Sequence, residues 1–275
     1  MEATAPRFRA DLRPPRLRHS VAEFGRVIAE MGSTAMLQPI LNRLPDGDGH
    51  TIITIPGFMG ADGSTSQLRR FLVKRGYNAI PWSKGRNAAD KQPSSLDAFL
   101  DYRESIEDEV AEQVRSEFER SGRKVTLIGW SLGGLYSVAL AHRFPQWIRQ
   151  VITLGTPVGD PRGTSLYNIL GRVYNHEVEV DEEALQRWVQ HTYRGGKLRV
   201  PILTLYSESD GIVGAGIARC EGDPHYVTNI AVMASHVGFP FNPLVYGVIA
   251  NHLVEPHERW DICGSSRLGP FVKRG

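Results

Sequence analysis

The chain has 275 residues, 41% hydrophobic and 23% charged, with 32 basic residues against 30 acidic ones for a formal net charge of +2. These proportions exclude disordered, collagenous and membrane-embedded compositions, and so balanced a charge gives no global field of the kind that draws a chain to nucleic acid. No run of 18 apolar residues and no secretory signal are present, so an unexported, cytoplasmic protein is expected. Two cysteines, Cys220 and Cys263, are too few for a disulfide scaffold; free thiols are expected, with a bridge between the two left open.

The chain opens on a basic leader, Arg7, Arg9, Arg13, Arg16 and Arg18 against the single acid Asp11, interrupted by Pro14 and Pro15. Ser20 and Glu23 then have the spacing of a capping box, and Phe24, Val27, Ile28 and Met31 follow at helical spacing. Gly32 and Ser33 weaken that helix and Pro39 interrupts what comes after, which predicts two short helical pieces lying against the core. A membrane-surface role for Ser20 to Leu44 is a secondary reading. Residues 1–47 are thus a leader and helical segment, closed by the turn Pro45-Asp46-Gly47.

From residue 51 short apolar β-branched runs alternate with helical periods. The predicted strands are Thr51–Ile55, Asn78–Trp82, Val125–Gly129, Val151–Gly155, Val200–Tyr206 and, less clearly, Val227–Val232. Helices are predicted at Ser66–Arg75, Leu96–Arg120, with Ser94 as its cap, and Ser131–Phe144. Such alternation means an α/β fold: a mostly parallel sheet of about six strands, covered by helices on both faces. The core is expected to span 48–155 and 200–255, with 256–275 as a tail. Residues 156–199 are too long for an ordinary connection. They start with a loop, Pro157 to Gly163, and carry Tyr167, Leu170 and Tyr174 and then Leu185, Trp188 and Val189 at helical spacing. A small helical cap, or lid, over a site is the reading; plain core packing is its competitor.

The strongest chemical signal is Gly129-Trp130-Ser131-Leu132-Gly133, placed between a predicted strand and a predicted helix. A serine on so sharp a turn needs glycines around it, because side chains there would strike neighbouring backbone. The helix start also aims the free N–H of Leu132 at the place where an oxyanion would form. A second donor is expected after the first strand, in Pro56-Gly57-Phe58-Met59-Gly60, with the N–H of Phe58 as the candidate. A serine hydroxyl needs a base, and the base a carboxylate to orient it. Asp210, in Ser209-Asp210-Gly211 after the strand Val200–Tyr206, is the preferred acid, with Glu208 and Asp160 as alternatives. His236, in Ala234-Ser235-His236-Val237-Gly238, completes the order Ser, Asp, His, while His142, His50, His252 and His257 lie in less suitable places.

These four segments resemble the α/β-hydrolase superfamily, and within it bacterial esterases and lipases whose oxyanion loop carries Pro-Gly where many relatives carry His-Gly. The resemblance covers roughly residues 48 to 255. It implies an α/β-hydrolase fold trimmed of the two antiparallel strands with which fuller members begin, a lid at 156–199, Ser131 as nucleophile, Asp210 and His236 completing the triad, and Phe58 and Leu132 as oxyanion donors. The expected activity is cleavage of a small-molecule or lipid carboxylic ester through an acyl-enzyme on Ser131, which requires no metal or organic cofactor. Met59, Trp82, Trp130, Tyr167, Leu170 and Trp188 are the candidate substrate-binding residues, and they favour an apolar acyl or alkyl group. The same triad would serve an acyltransferase or thioesterase, and a hydrolase fold without catalysis would be a lipid- or protein-binding module. The sequence sets no oligomeric state.

Overall fold

The computed structural model describes residues 15–89, 95–165, 182–195, 197–256 and 272–274. Its centre is a sheet of six parallel strands: β1 (Thr51–Ile55), β2 (Asn78–Pro81), β3 (Val125–Trp130), β4 (Ile148–Leu154), β5 (Ile202–Tyr206) and β6 (Val227–Val232). A seventh strand, β7 (Val272–Arg274), pairs antiparallel with β6 at the edge. The order across the sheet is β2-β1-β3-β4-β5-β6-β7. From β3 onward the chain advances one strand at a time in one direction, after reversing between β1 and β3. The expected trimmed six-stranded parallel sheet is therefore present, and the segment read as a tail adds a short strand to it.

Successive residues along each strand point to opposite faces, and here both faces are covered. Ile52, Ile128, Ile152, Leu203 and Leu205 belong to one core layer with Leu68, Phe71 and Leu72 of α3 (Ser66–Lys74) and Val245 and Ile249 of α7 (Pro243–Val254). Ile53, Leu127, Val151 and Ile202 belong to the other. That layer also takes Val110 and Val114 of α4 (Leu96–Ser121), Leu135 and Val138 of α5 (Leu132–Arg143) and Trp188 of α6 (Glu182–Thr192). The cap of α4 is Ser95, whose side chain accepts the N–H of Ala98, rather than the expected Ser94, which lies outside the described residues.

The N-terminal segment differs from expectation in two ways. Instead of two short pieces, α1 (Leu17–Met36) runs unbroken for 20 residues through Gly32 and Ser33, and only the short α2 (Gln38–Leu41) follows. The capping box is also absent: Ser20 and Glu23 lie inside the helix and their side chains bond elsewhere. Of its apolar residues, Val21, Ile28 and Met31 are exposed rather than turned to the core. The side turned inward carries Glu23, Arg26, Glu30 and Thr34, each bonded to a loop at the carboxyl end of the sheet. Tertiary hydrogen bonds thus override the weak helix propensity of Gly32 and Ser33.

Within 156–199, residues 166–181 lie outside the described set, and with them Tyr167, Leu170 and Tyr174. The described helix α6 lies on α4 and α5, where Arg103 bonds the hydroxyl of Thr192 at 2.9 Å. Arg103 also pairs with Glu107 at 2.8 Å, both side chains fully buried. Glu107 in turn meets His191 of α6 at 2.9 Å. A buried pair of this kind stands only because hydrogen bonds satisfy both charges. Among the described residues no helix is long and apolar enough to cross a membrane.

Candidate active site

The carboxyl ends of β1, β3, β5 and β6 bring the expected segments together. Ser131 follows β3 directly and precedes α5, and its backbone sits at φ 53°, ψ −122°, a strained conformation for a residue with a side chain. The turn is held by the Ser131 N–H donating to the Leu154 carbonyl at 2.9 Å. Glycine is required on both sides: a Cβ on Gly133 would stand 2.5 Å from the Ile55 carbonyl, and one on Gly129 would run into the backbone of Gly133 itself. The strain raises the serine hydroxyl above the sheet and into reach of the loop after β6.

There the Nε2 of His236 lies 3.1 Å from the Ser131 Oγ, and its Nδ1 lies 2.8 Å from the Oδ2 of Asp210. Asp210 is buried in the loop after β5, and its other oxygen accepts the N–H groups of Ile212 and Val213, each at 2.8 Å. His236 is buried too. Burial alone pushes its pKa down, but the charge of Asp210, the hydrogen bond to it and the charge of Glu23 outweigh that effect and hold the imidazole above its ordinary value. The alternatives fall away on geometry. Glu208 is exposed, and Asp160 is engaged by the guanidinium and backbone N–H of Arg162. His50 pairs with Asp48 at 2.5 Å and His252 with the Val248 carbonyl at 2.8 Å.

Of the two proposed oxyanion donors, Leu132 follows the serine in the chain and Phe58 follows a glycine packed against it. Gly57 packs so close that a Cβ there would lie 2.9 Å from that of Ser131. Neither the Phe58 nor the Leu132 N–H has a backbone acceptor among the described residues. The loop carrying Phe58 is organised by a residue that sequence reasoning missed, the fully buried Asn87. Its side-chain amide donates to the Pro56 carbonyl at 2.7 Å, its backbone exchanges bonds with Met59 and Gly60, and its Oδ1 accepts the hydroxyls of Tyr136 and Tyr102. No motif announces it; only its position, five residues past Trp82 in a polar turn, sets it apart.

The candidate substrate residues divide. Met59 is exposed, at φ 61°, on the loop after β1, and Trp130 stands beside the His236 ring with its indole N–H bonded to the His236 carbonyl at 3.0 Å. Trp82 is fully buried and bonded to the Gly85 carbonyl, so its ring has no surface to offer a ligand. Trp188 is buried as well, stacked on Phe99, which meets the ring of Phe58 edge-on. Tyr167 and Leu170 lie outside the described residues.

A parallel sheet of this order, with a serine on a strained strand-to-helix turn facing a histidine and an aspartate from later loops, is the architecture of the α/β-hydrolase fold. Comparison with known proteins agrees. An esterase family model matches residues 73–197, a stretch that holds Ser131 and ends before Asp210 and His236. Human serine hydrolase BPHL is 26% identical over 113 residues, covering 40% of this chain and 36% of the human protein; the match thus spans about a third of that relative's length. Among solved structures, Bacillus licheniformis lipase BlEst2 superposes with a TM-score of 0.52 at 19% identity, covering 77% of this chain and 94% of that one. The monoacylglycerol lipase of Paleococcus ferrophilus does so at 0.51 and 17%, covering 76% and 96%. The structural likeness shows the α/β-hydrolase fold, and over residues 73–197 the chain is similar to an esterase family.

Proposed function

We propose that the protein is a serine hydrolase of carboxylic esters, working through an acyl-enzyme on Ser131. The observation that carries this reading is the continuous line from Ser131 Oγ through the buried imidazole of His236 to Asp210, with spacings of 3.1 and 2.8 Å. The esterase family match and the serine hydrolase and lipase relatives support it.

In this mechanism Ser131 attacks the ester carbonyl as His236 Nε2 takes its proton. Asp210 keeps the Nδ1 proton in place and balances the imidazolium that forms. The carbonyl oxygen, now negative, is received by the N–H groups of Phe58 and Leu132. Collapse expels the alcohol with the proton from His236. Water, deprotonated by the same imidazole, then attacks the acyl group and frees the acid and Ser131. Met59 and Trp130 are proposed to line the path of an apolar acyl or alkyl group. A cytoplasmic location goes with this reading; Cys220 is buried, and Cys263, its candidate disulfide partner, lies outside the described residues.

Intact-mass analysis after exposure to a fluorophosphonate tests the proposal. One adduct per chain that vanishes in Ser131→Ala is the expected result, followed by turnover on a panel of esters graded by chain length. No adduct on the wild-type protein would overturn it in favour of a binding module, and turnover only with a thioester or with an added alcohol acceptor would move it to the thioesterase or acyltransferase reading.

A further inference from the structure

Helix α1 meets the site with two carboxylates, those of Glu23 and Glu30. Glu23, buried despite its charge, accepts the N–H of Gly211 at 2.7 Å and the N–H of His236 at 2.9 Å through one oxygen, and the N–H of Val237 at 3.4 Å through the other. One turn and then two further along the helix, Arg26 donates to the carbonyl and hydroxyl of Ser209, and Glu30 accepts the N–H and hydroxyl of Ser235, at 2.7 and 2.6 Å. Ser20 closes the set from the other side by donating to the Gly211 carbonyl.

We propose that Glu23 is a positioning residue for His236: its carboxylate ties the loop that carries the base to the loop that carries Asp210 and so sets the imidazole against Ser131. The inference rests on the ester-hydrolase reading for its kinetic consequence. The two loops follow different strands, β5 and β6, yet the Asp210–His236 bond needs them registered to within a few tenths of an ångström. One oxygen accepting from both backbones at once provides that registration.

The glycines beside the triad candidates have the same cause. A Cβ on Gly211 would lie 2.7 Å from the Glu23 Cγ and 2.7 Å from the backbone of His19, and one on Gly238 would coincide with the Glu30 carboxylate. Asp210-Gly211 and His236-Val237-Gly238 thus include the footprint of α1. Glu23 also acts through its charge, because an imidazolium forming on His236 faces two carboxylates, Asp210 and Glu23. The other charged groups of α1 at these loops, Glu30 and Arg26, bond to Ser235 and Ser209 rather than to His236.

The test uses the full chain and its Glu23→Gln, Glu23→Asp and Glu23→Ala variants, with three readouts: the rate of fluorophosphonate adduct formation on Ser131 against pH, the His236 imidazole pKa by nitrogen-15 NMR, and hydrogen exchange at the His236 and Gly211 amides. Glu23→Gln keeps the shape and removes the charge. It should fold as wild type, lower the imidazole pKa, shift the acid limb of the adduct rate by the same amount, and slow the rate at alkaline pH by about tenfold. Glu23→Ala should slow it by about a hundredfold, the scale of an ångström of misplacement, with faster exchange at both amides. Glu23→Asp should recover much of the pKa and less of the rate. An unchanged pKa and unchanged rate in folded Glu23→Gln and Glu23→Ala, with only the unfolding midpoint lowered, would overturn the proposal and leave Glu23 as a structural tie. Absence of any adduct on the wild-type protein would overturn the hydrolase reading alone, since the imidazole pKa and the two amides still decide for or against the tie.

Discussion

At the scale of single residues, the proposed mechanism depends on one histidine kept ready to accept a proton. His236 is buried, which disfavours its charged form, but Asp210 at 2.8 Å and the more distant charge of Glu23 reverse the balance and raise its pKa above the ordinary 6.5. A general base must be neutral to act. The acid limb of kcat/KM is therefore expected above pH 6.5, with activity rising as pH increases through the imidazole pKa; a limb near pH 5 in a pH–rate profile would contradict it. The linkage has the opposite sign for stability. His236 binds its proton more tightly folded than unfolded, so its contribution is full below pH 6.5 and is lost as pH rises through the folded pKa. Activity and this part of stability change in opposite directions over the same pH window.

At the scale of elements, the loop after β1 and the turn around Asn87 form one unit. Asn87 satisfies a carbonyl of the loop that carries Phe58, the proposed oxyanion donor, and receives two tyrosine hydroxyls, of which that of Tyr136 lies in the core at 2.9 Å. Replacing it with alanine leaves the Pro56 carbonyl and the Tyr136 hydroxyl without this partner, at a cost of about 1–3 kcal/mol for each group left unsatisfied. Asn87→Ala is expected to lower the unfolding midpoint and, by loosening the Phe58 N–H, to reduce turnover by about 100-fold, the scale of a lost oxyanion donor. Calorimetry and steady-state kinetics on one preparation check both. Turnover unchanged in a destabilised variant would mean that Phe58 keeps its place without Asn87.

At the scale of the whole molecule, α6 is joined to α4 by charge as well as by packing. Arg103 and Glu107 are wholly buried on α4, and α6 completes their coordination through Thr192 and His191, with Arg143 and Arg194 also near Glu107. Removing Glu107 strands a buried guanidinium, and breaking such a pair costs about 3–5 kcal/mol. Glu107→Ala is expected to lose that much in urea-unfolding free energy, with α6 becoming the first segment to exchange its amide hydrogens. A loss below 1 kcal/mol would show that water reaches Arg103.

Much of this was legible without coordinates. The parallel strands declare themselves because burial on both faces demands continuous apolar runs, as in Thr51–Ile55 and Ile202–Tyr206. Ser131, Asp210 and His236 could be singled out because strained turns and strand ends admit few residue types, and the structure brings the three within hydrogen-bond distance. The sequence by itself determined the six parallel strands, the helices α3, α4 and α5 between them and the segments that meet at the carboxyl end of the sheet, since each is written in local periodicity or in a short motif; α7 and β7 were not among them.

Only the tertiary structure decided what α1 does and which aromatics are core. Val27, Ile28 and Met31 mark an apolar stripe in the sequence, but a helix docks where its strongest unsatisfied partners are, and here those are the loop N–H groups that Glu23 and Glu30 accept. Trp82 and Trp188 look like lining for a pocket until neighbours separated by many residues close over them. The edge strand β7 likewise exists because β6 leaves unpaired backbone groups that a distant segment can satisfy. Contacts between residues far apart in the chain leave no periodic trace along it.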